Sequence, residues 1–426
     1  MPDNATICIL TSLPPADNPR ALKEAMALAA QGYAVSMLTT APLRDDDERL
    51  AARAGFSLAS VRRDAASPAA RLTSHAARHL HRTLGYETRW QLGHDLGALY
   101  RRARAADADL YLAHLEAGLW AGARLLREGR RLAVDIEDWY SEDLLPEARA
   151  QRPLALLRRL EGAVLRGAVA ATTTSAAMSG ALAASFACAR PSVVYNAFAW
   201  TDRDMIDGAR RDRTDSRRPS IHWVSKTLGD GRGLDDLVAA LHFVDADAEL
   251  HLRGQAIPGF EARLKRLAPD AWRGRIVVHA PVAADALLSR IAEHDIGFAG
   301  EQTYCRNKDL TASNKILHYL LGGLAVVASD TQGQREIAEQ AQGSILLYPP
   351  GDVRVLAGQL NTLLGSAERL TAAKEAALAA AKARFCWERQ EPVLLAGVAK
   401  ALHARGYESP VAGRPTFDSE RKHMTT

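Results

Sequence analysis

The stretch from Asp295 to Glu339, DIGFAGEQTYCRNKDLTASNKILHYLLGGLAVVASDTQGQREIAE, constrains the fold more than any other part of the chain. A short apolar run, Ile296 to Ala299, reads as a strand that enters a polar loop. The loop ends at Ser313-Asn314, residues that cap helices, and a helix carrying Ile316, Leu317, Leu320 and Leu321 follows. Gly322-Gly323 stops that helix, and Leu324 to Ala328 reads as a buried strand. A helix start at the carboxyl end of a strand is where α/β proteins hold phosphates, because free backbone N–H groups converge there.

The rest of the chain repeats this alternation. Strands are expected at Ile7–Leu10, Val35–Thr39, Asp109–Ala113, Leu132–Ile136, Val169–Thr174 and Ser192–Tyr195. A second array follows at Ile221–Val224, Glu249–Leu252, Arg275–His279, Ile296–Ala299, Leu324–Ala328 and Ser344–Tyr348. Strands that alternate with helices predict parallel sheets, and 426 residues exceed what one core holds. The expected architecture is two doubly wound Rossmann-like domains facing across a cleft. The first occupies residues 1–200, a charged linker 201–219, and the second 220–385. A closing helix, 386–405, crosses back to the first domain, and 406–426 form a disordered polar tail. Residues 41 to about 105 are rich in Ala and Arg and read only as helical. Pro392 is expected to kink or break the long helical region from about 352 to 403.

Composition removes several function classes. The net charge of +4 and a pI near 8.9 are mildly basic. No nucleic-acid-binding module is evident. Four scattered cysteines make no CxxC pair, which argues against a metal site or a disulfide framework and fits a reducing cytoplasm. The N-terminus does not read as a signal peptide, and no apolar run reaches the roughly 18 residues of a membrane span. The first turn lacks GxGxxG, which disfavours a standard dinucleotide site. Two Arg-rich helical stretches carry a hint of peripheral contact with anionic lipid. They are 71–90 and the helix bearing Arg152, Arg158, Arg159 and Arg166.

Several residues point to chemistry on anionic ligands. Lys226 and Arg232 follow the first strand of the second array, with Gly229, Gly231 and Gly233 around them. Glycines let backbone approach a phosphate, and the cations offset its charge. Ser313, Asn314 and Lys315 open the helix described above. Glu137 and Asp138 end a strand of the first half, and either carboxylate can orient or deprotonate a hydroxyl. His114 ends another strand, and Arg20 sits in the first turn of the opening helix, where it can hold an anionic group or lie on the surface.

The chain resembles the GT-B glycosyltransferases, family four among them. The segments that carry the resemblance are DNPRALKEAMALAAQGYAV, ADLYLAHLEAGLWAG, VDIEDWYSEDL, VVYNAF, SKTLGDGRGLDDLVAAL and, most specifically, SNKILHYLLGGLAVVASDTQGQREI. The resemblance implies a hexosyltransferase-like enzyme. It would move a sugar from a nucleotide-sugar to a saccharide or lipid-linked acceptor, with retention and without a cofactor or metal, in polysaccharide or glycoconjugate biosynthesis. It implies that Lys226 and Arg232 stabilise the departing diphosphate and that Ser313, Asn314, Lys315 and His318 contact the donor. It also puts His114 near the transferred sugar and Arg20, Glu137 and Asp138 on the acceptor side. The sequence departs from the pattern at one point. Many members carry a pair of glutamates around this helix start, and the matching positions here are Leu310 and His318. The departure leaves two alternatives open: a non-catalytic sugar-nucleotide binding or scaffold protein, and a GT-B-like nucleotide-sugar epimerase.

Overall fold

The computed structural model describes residues 5–62, 68–213 and 218–403. The first domain holds β1 (Thr6–Thr11), β2 (Ala34–Thr39), β3 (Ser57–Ser60), β4 (Leu110–His114), β5 (Leu132–Ile136), β6 (Ala170–Thr173) and β7 (Ser192–Val193). They form one sheet in the order β3-β2-β1-β4-β5-β6-β7, every pairing parallel. The second holds β8 (Ser220–Leu228), β9 (Glu249–Ala256), β10 (Ile276–His279), β11 (Ile296–Ala299), β12 (Ala325–Ser329) and β13 (Ile345–Tyr348). Their order is β10-β9-β8-β11-β12-β13, again all parallel. Both sheets are doubly wound, and helices cover both faces. That is why β5, β11 and β12 are buried along their whole length and read as continuous apolar runs. The short edge strand β3 was not anticipated, because SLAS is brief and weakly apolar.

The opening helix, Pro19–Ala30, starts as the sequence predicts. Asn18 accepts from the Ala21 N–H and Pro19 takes the first position. Its buried face joins Ile7, Ile9 and Val194 on one side of the first sheet. The same cluster contains Trp387, Leu394 and Val398 from the last helix, Trp387–His403. The chain therefore returns to complete the first domain's core.

One expectation needs correction. The helical region after residue 352 is three helices, Val353–Leu364, Ala367–Ala383 and Trp387–His403, and Pro392 lies inside the last. A proline forfeits one ladder hydrogen bond. The breaks fall instead at Gly365-Ser366 and at Arg384–Cys386, where Cys386 pairs with Phe198 and the Trp387 N–H donates to the Phe198 carbonyl at 2.8 Å. The charged run 201–219 joins the two sheets, and through its described part it is pinned to the second domain. Both Asp207 carboxylate oxygens accept from Arg290 Nη2, at 2.6 and 2.7 Å, and Arg213 reaches Asp295 at 2.9 Å. The polar tail expected after residue 406 lies outside the described residues.

Candidate active site

The carboxyl ends of the two sheets face one cavity of about 800 Å³. Glu137, Asp138, Thr174 and Asn196 line it from the first domain, and Lys226, Arg232, Glu301, Lys315 and His318 from the second. This is the crevice position at which open α/β sheets bind ligands.

Lys226 owes its place to a bulge. The β8–β9 register shifts between Val224 and Thr227, so Ser225 and Lys226 have no regular partner and the strand bends. Gly254 faces the bulge with φ +153°, and a Cβ there would lie 2.3 Å from the Ser225 carbonyl. Arg232 donates to Ser225 Oγ at 2.9 Å, which ties the following loop to the same bulge. Gly233 closes the loop with φ +73°, and a side chain there would strike the Gly300 carbonyl at 2.1 Å. Both cations are exposed at the cavity wall, and no acidic partner of Lys226 is present among the described residues.

The helix Asn314–Gly322 begins with Ser313, whose hydroxyl accepts from the Lys315 N–H. Glu301, just beyond β11, holds this start. Its Oε1 accepts from Ser313 Oγ at 3.0 Å and from Lys315 Nζ at 2.6 Å. Burial would raise the Glu301 pKa, but Lys315 and Lys308 outweigh it and hold the carboxyl at about 2. Lys315 is therefore committed to a carboxylate, while Asn314 is exposed beside it. His318 lines the cavity and stacks flat on Phe198, ring centroids 3.6 Å apart. Burial, then Lys23, lower its pKa to about 3, so it offers a neutral ring where a carboxylate would accept. Leu310 faces away from the cavity. It is buried in the first domain's core with Trp139, Met178 and Phe186.

On the first-domain wall, Glu137 Oε1 accepts from Asn196 at 3.2 Å and Asp138 Oδ1 from Asn307 at 2.7 Å. Burial and then Asp138 push Glu137 up to about 7. Burial also raises Asp138, against the opposing charge of Lys308. Lys308 itself is raised, since Asp138, Glu301 and Asp143 overcome the cost of its burial.

His114 and Arg20 do not reach the cavity. Both are 1% exposed. Arg20 grips Asp135 through two 2.6 Å bonds and donates to the Val194 carbonyl at 2.7 Å. His114 Nε2 lies 3.0 Å from Glu24 and Nδ1 3.5 Å from Asp135. The chain turns directly from β4 into the helix Leu115–Arg127, with Leu115 at φ +56°, so no loop carries the imidazole forward. The placement of His114 near a sugar, and of Arg20 on an acceptor or at the surface, is thus replaced by a buried four-charge network. Glu24, His114 and Asp135 bring donor atoms within 4.8 Å, as a metal trio would. Arg20 already supplies the compensating charge there.

Sequence reasoning missed Glu301, Asn307 and Lys308, which sat unremarked in the polar loop after β11. The position of Glu301, just past a strand end, was the available signal. Asn307 also accepts from the Trp139 N–H at 2.8 Å, and Glu336 caps the helix Ala176–Phe186 through two 2.9 Å bonds. The two domains are held together on one side of the cavity.

The family model described as "Glycosyl transferases group 1" matches residues 218–366. No curated protein matches the chain. Among solved structures, sucrose-phosphate synthase from Thermosynechococcus elongatus superposes with a TM-score of 0.71 at 16% identity, covering 94% of this chain and 99% of that one. Anabaena Alr3699/HepE, in complex with UDP and glucose, gives 0.68 at 18% identity over 93% and 100%. A putative UDP-N-acetylglucosamine 2-epimerase from Listeria monocytogenes gives 0.57 at 13% over 95% and 97%. At these identities the structural likeness speaks to the fold. Residues 218–366 thus match the glycosyl transferases group 1 family model, and the chain as a whole adopts the GT-B fold.

Proposed function

We propose that the chain is a glycosyltransferase that moves a sugar from a nucleotide-sugar to an acceptor hydroxyl. The family match of the second domain supports this, as do the structural neighbours solved with UDP or UDP-glucose. The observation that carries the reading is the bulge that raises Lys226, with Arg232 tied to it, at the cavity wall near the helix start at Asn314. Cleavage of the donor puts negative charge on a diphosphate, and these two side chains are the cations free to meet it. The chemistry needs no metal in this reading. Retention, a hexosyl donor and a role in polysaccharide or glycoconjugate assembly in the cytoplasm rest on the family resemblance.

The test is release of nucleoside diphosphate from a panel of nucleotide-sugars with acceptor extract. Lys226→Ala and Arg232→Ala should each lower kcat by about 100-fold or more, the scale of one lost charge-stabilising donor. Unchanged kinetics in both variants would remove the phosphate assignment. Binding without turnover would favour the scaffold alternative, which the neutral ring of His318 motivates. Recovery of only an epimerised nucleotide-sugar would favour the epimerase, which the Listeria neighbour motivates.

Peripheral contact with an anionic membrane belongs to the same proposal. The helix Pro68–Leu84 carries no acidic residue and exposes Leu72, Leu80 and Leu84. The other Arg-rich helix, Leu154–Gly167, buries Leu157, Leu160 and Val164 in the protein core. Glu87 caps its start at 3.0 Å, which brings the two basic segments to one side of the first domain.

A further inference from the structure

The cavity is divided by charge. From the first domain, the ionisable side chains that line it are Glu137, Asp138 and Asp143. The cations nearest that wall are already committed. Arg20 and His114 are sealed among Glu24 and Asp135. Lys23 donates to Asn196 and to the Ala197 carbonyl and lies 5.2 Å from the Trp387 ring centre. Lys308, reaching in from the second domain, is balanced by Asp138, Glu301 and Asp143. Above about pH 7, where Glu137 is ionised, an anionic group on this side would meet carboxylates at short range in a partly desolvated space.

The same wall carries an apolar ledge of Leu144, Leu145 and Ala148. Leu144 is held at φ +77°, a strained backbone for a branched side chain. Neighbouring contacts fix it there: Glu142 accepts from Arg149 at 2.9 Å, and Asp143 from Cys305 at 3.7 Å. Leu145 reaches across the cleft, where a methyl group on Gly231 would lie 3.4 Å from it and from Tyr304. Glu137 and Asp138 each have one oxygen engaged by an asparagine amide, and no other hydrogen bond to either carboxylate is present among the described residues.

We propose that this wall is an acceptor subsite for an uncharged or amino saccharide, its hydroxyls on Glu137 and Asp138 and its apolar ring face on Leu144 and Leu145, which rejects phosphorylated and carboxylated acceptors. The proposal rests on the glycosyl-transfer reading above and names the acceptor class for it. Recognition follows from ordinary sugar chemistry. Hydroxyls donate to carboxylates, an ammonium pairs with them, and the C–H face of a pyranose packs on leucine.

The experiment, at about pH 8 so that Glu137 is ionised, loads the full-length protein with UDP and titrates methyl glucoside, methyl galactoside, glucosamine, glucose 6-phosphate and glucuronate, read by saturation-transfer NMR. The uncharged and amino sugars should bind at least about 10-fold tighter than the two anions, the scale of a like-charge penalty at short range. Glu137→Gln combined with Asp138→Asn should narrow that gap to about threefold or less. Leu144→Gly relaxes the strained backbone, so Tm should hold or rise while methyl glycoside binding weakens about fivefold. Equal or tighter binding of the anions overturns the proposal. So does a Leu144→Gly protein with unchanged sugar affinity, or the absence of transfer to every uncharged sugar. Nucleoside diphosphate release reports separately on the enzyme. Turnover without charge discrimination rejects the subsite and leaves the transferase standing.

Discussion

Each domain buries histidine, and the two solve the problem in opposite ways. In the first, His114 lies between Glu24 and Asp135 with Arg20 beside it. Burial opposes its charge, yet Glu24 and Asp135 outweigh that cost and raise its pKa to about 10. In the second, His222, His251, His279 and His294 sit together on and beside neighbouring strands. His222 and His251 are register partners on β8 and β9. His222 stacks on His294 at 4.3 Å, and His251 meets His279 nitrogen to nitrogen at 2.9 Å. Burial lowers all four, and repulsion from neighbouring histidines adds to it at His222, His251 and His279. His251 falls to about 4, and His222 lies well below the ordinary value. Depth alone does not set the charge of a buried imidazole. Its neighbours do.

The largest way to break this contrast is Asp135→Asn. It leaves Arg20 and His114 buried with Glu24 as their remaining carboxylate, and should cost about 3–5 kcal/mol of folding stability in denaturant titrations. A loss below about 1 kcal/mol would mean the network is not the electrostatic unit described.

Acid should separate the two domains next. The four histidines have folded-state pKa values below the unfolded 6.5, so the unfolded chain binds more protons as pH falls. Their stability contribution is therefore lost on acidification from about pH 6.5 downward, at up to about 1.4 kcal/mol per pH unit for each proton taken up. Asp212, Glu249 and Glu293, which face the cluster, offset part of this, while Arg253 and Arg213 add to it. His114 has the opposite sign. Its contribution is full below 6.5 and is lost as pH rises through about 10. Urea midpoints measured from pH 8 to 5 should fall, and the His114 ring resonances should not titrate over that range.

The smallest effect sharpens the comparison most. Both ring nitrogens of His222 are buried without a hydrogen-bond partner. His222→Phe removes that desolvated polar edge and should be neutral or stabilising by about 1 kcal/mol, with a shallower acid slope. Marked destabilisation would show that the stacked rings contribute packing that phenylalanine cannot replace.

The strands were legible because buried parallel strands leave apolar runs between turn residues, and β5 and β11 fall on the expected residues. Lys226, Arg232, Ser313, Glu137 and Asp138 line the cavity because residues that follow strands face the crevice. His114 and Arg20 were misplaced by the same rule. Position along a chain says that a side chain is near a strand end, and not which way it turns there. The direction came from Glu24 and Asp135, distant partners that no local pattern announces. The bulge at Ser225-Lys226 and the clamp by Asn307 were equally hidden, since each depends on a facing residue far away in sequence.

The return of the last helix to the first core has a consequence for synthesis. The seven strands of the first sheet are complete by Val193, yet Trp387, Leu394 and Val398 complete one face of it. A ribosome adding about 5–20 residues per second leaves that face bare for roughly 10–40 s while the second domain is translated. The second sheet carries its own core, closed by the helices Val353–Leu364 and Ala367–Ala383 that directly follow it. The half made first is the half finished last.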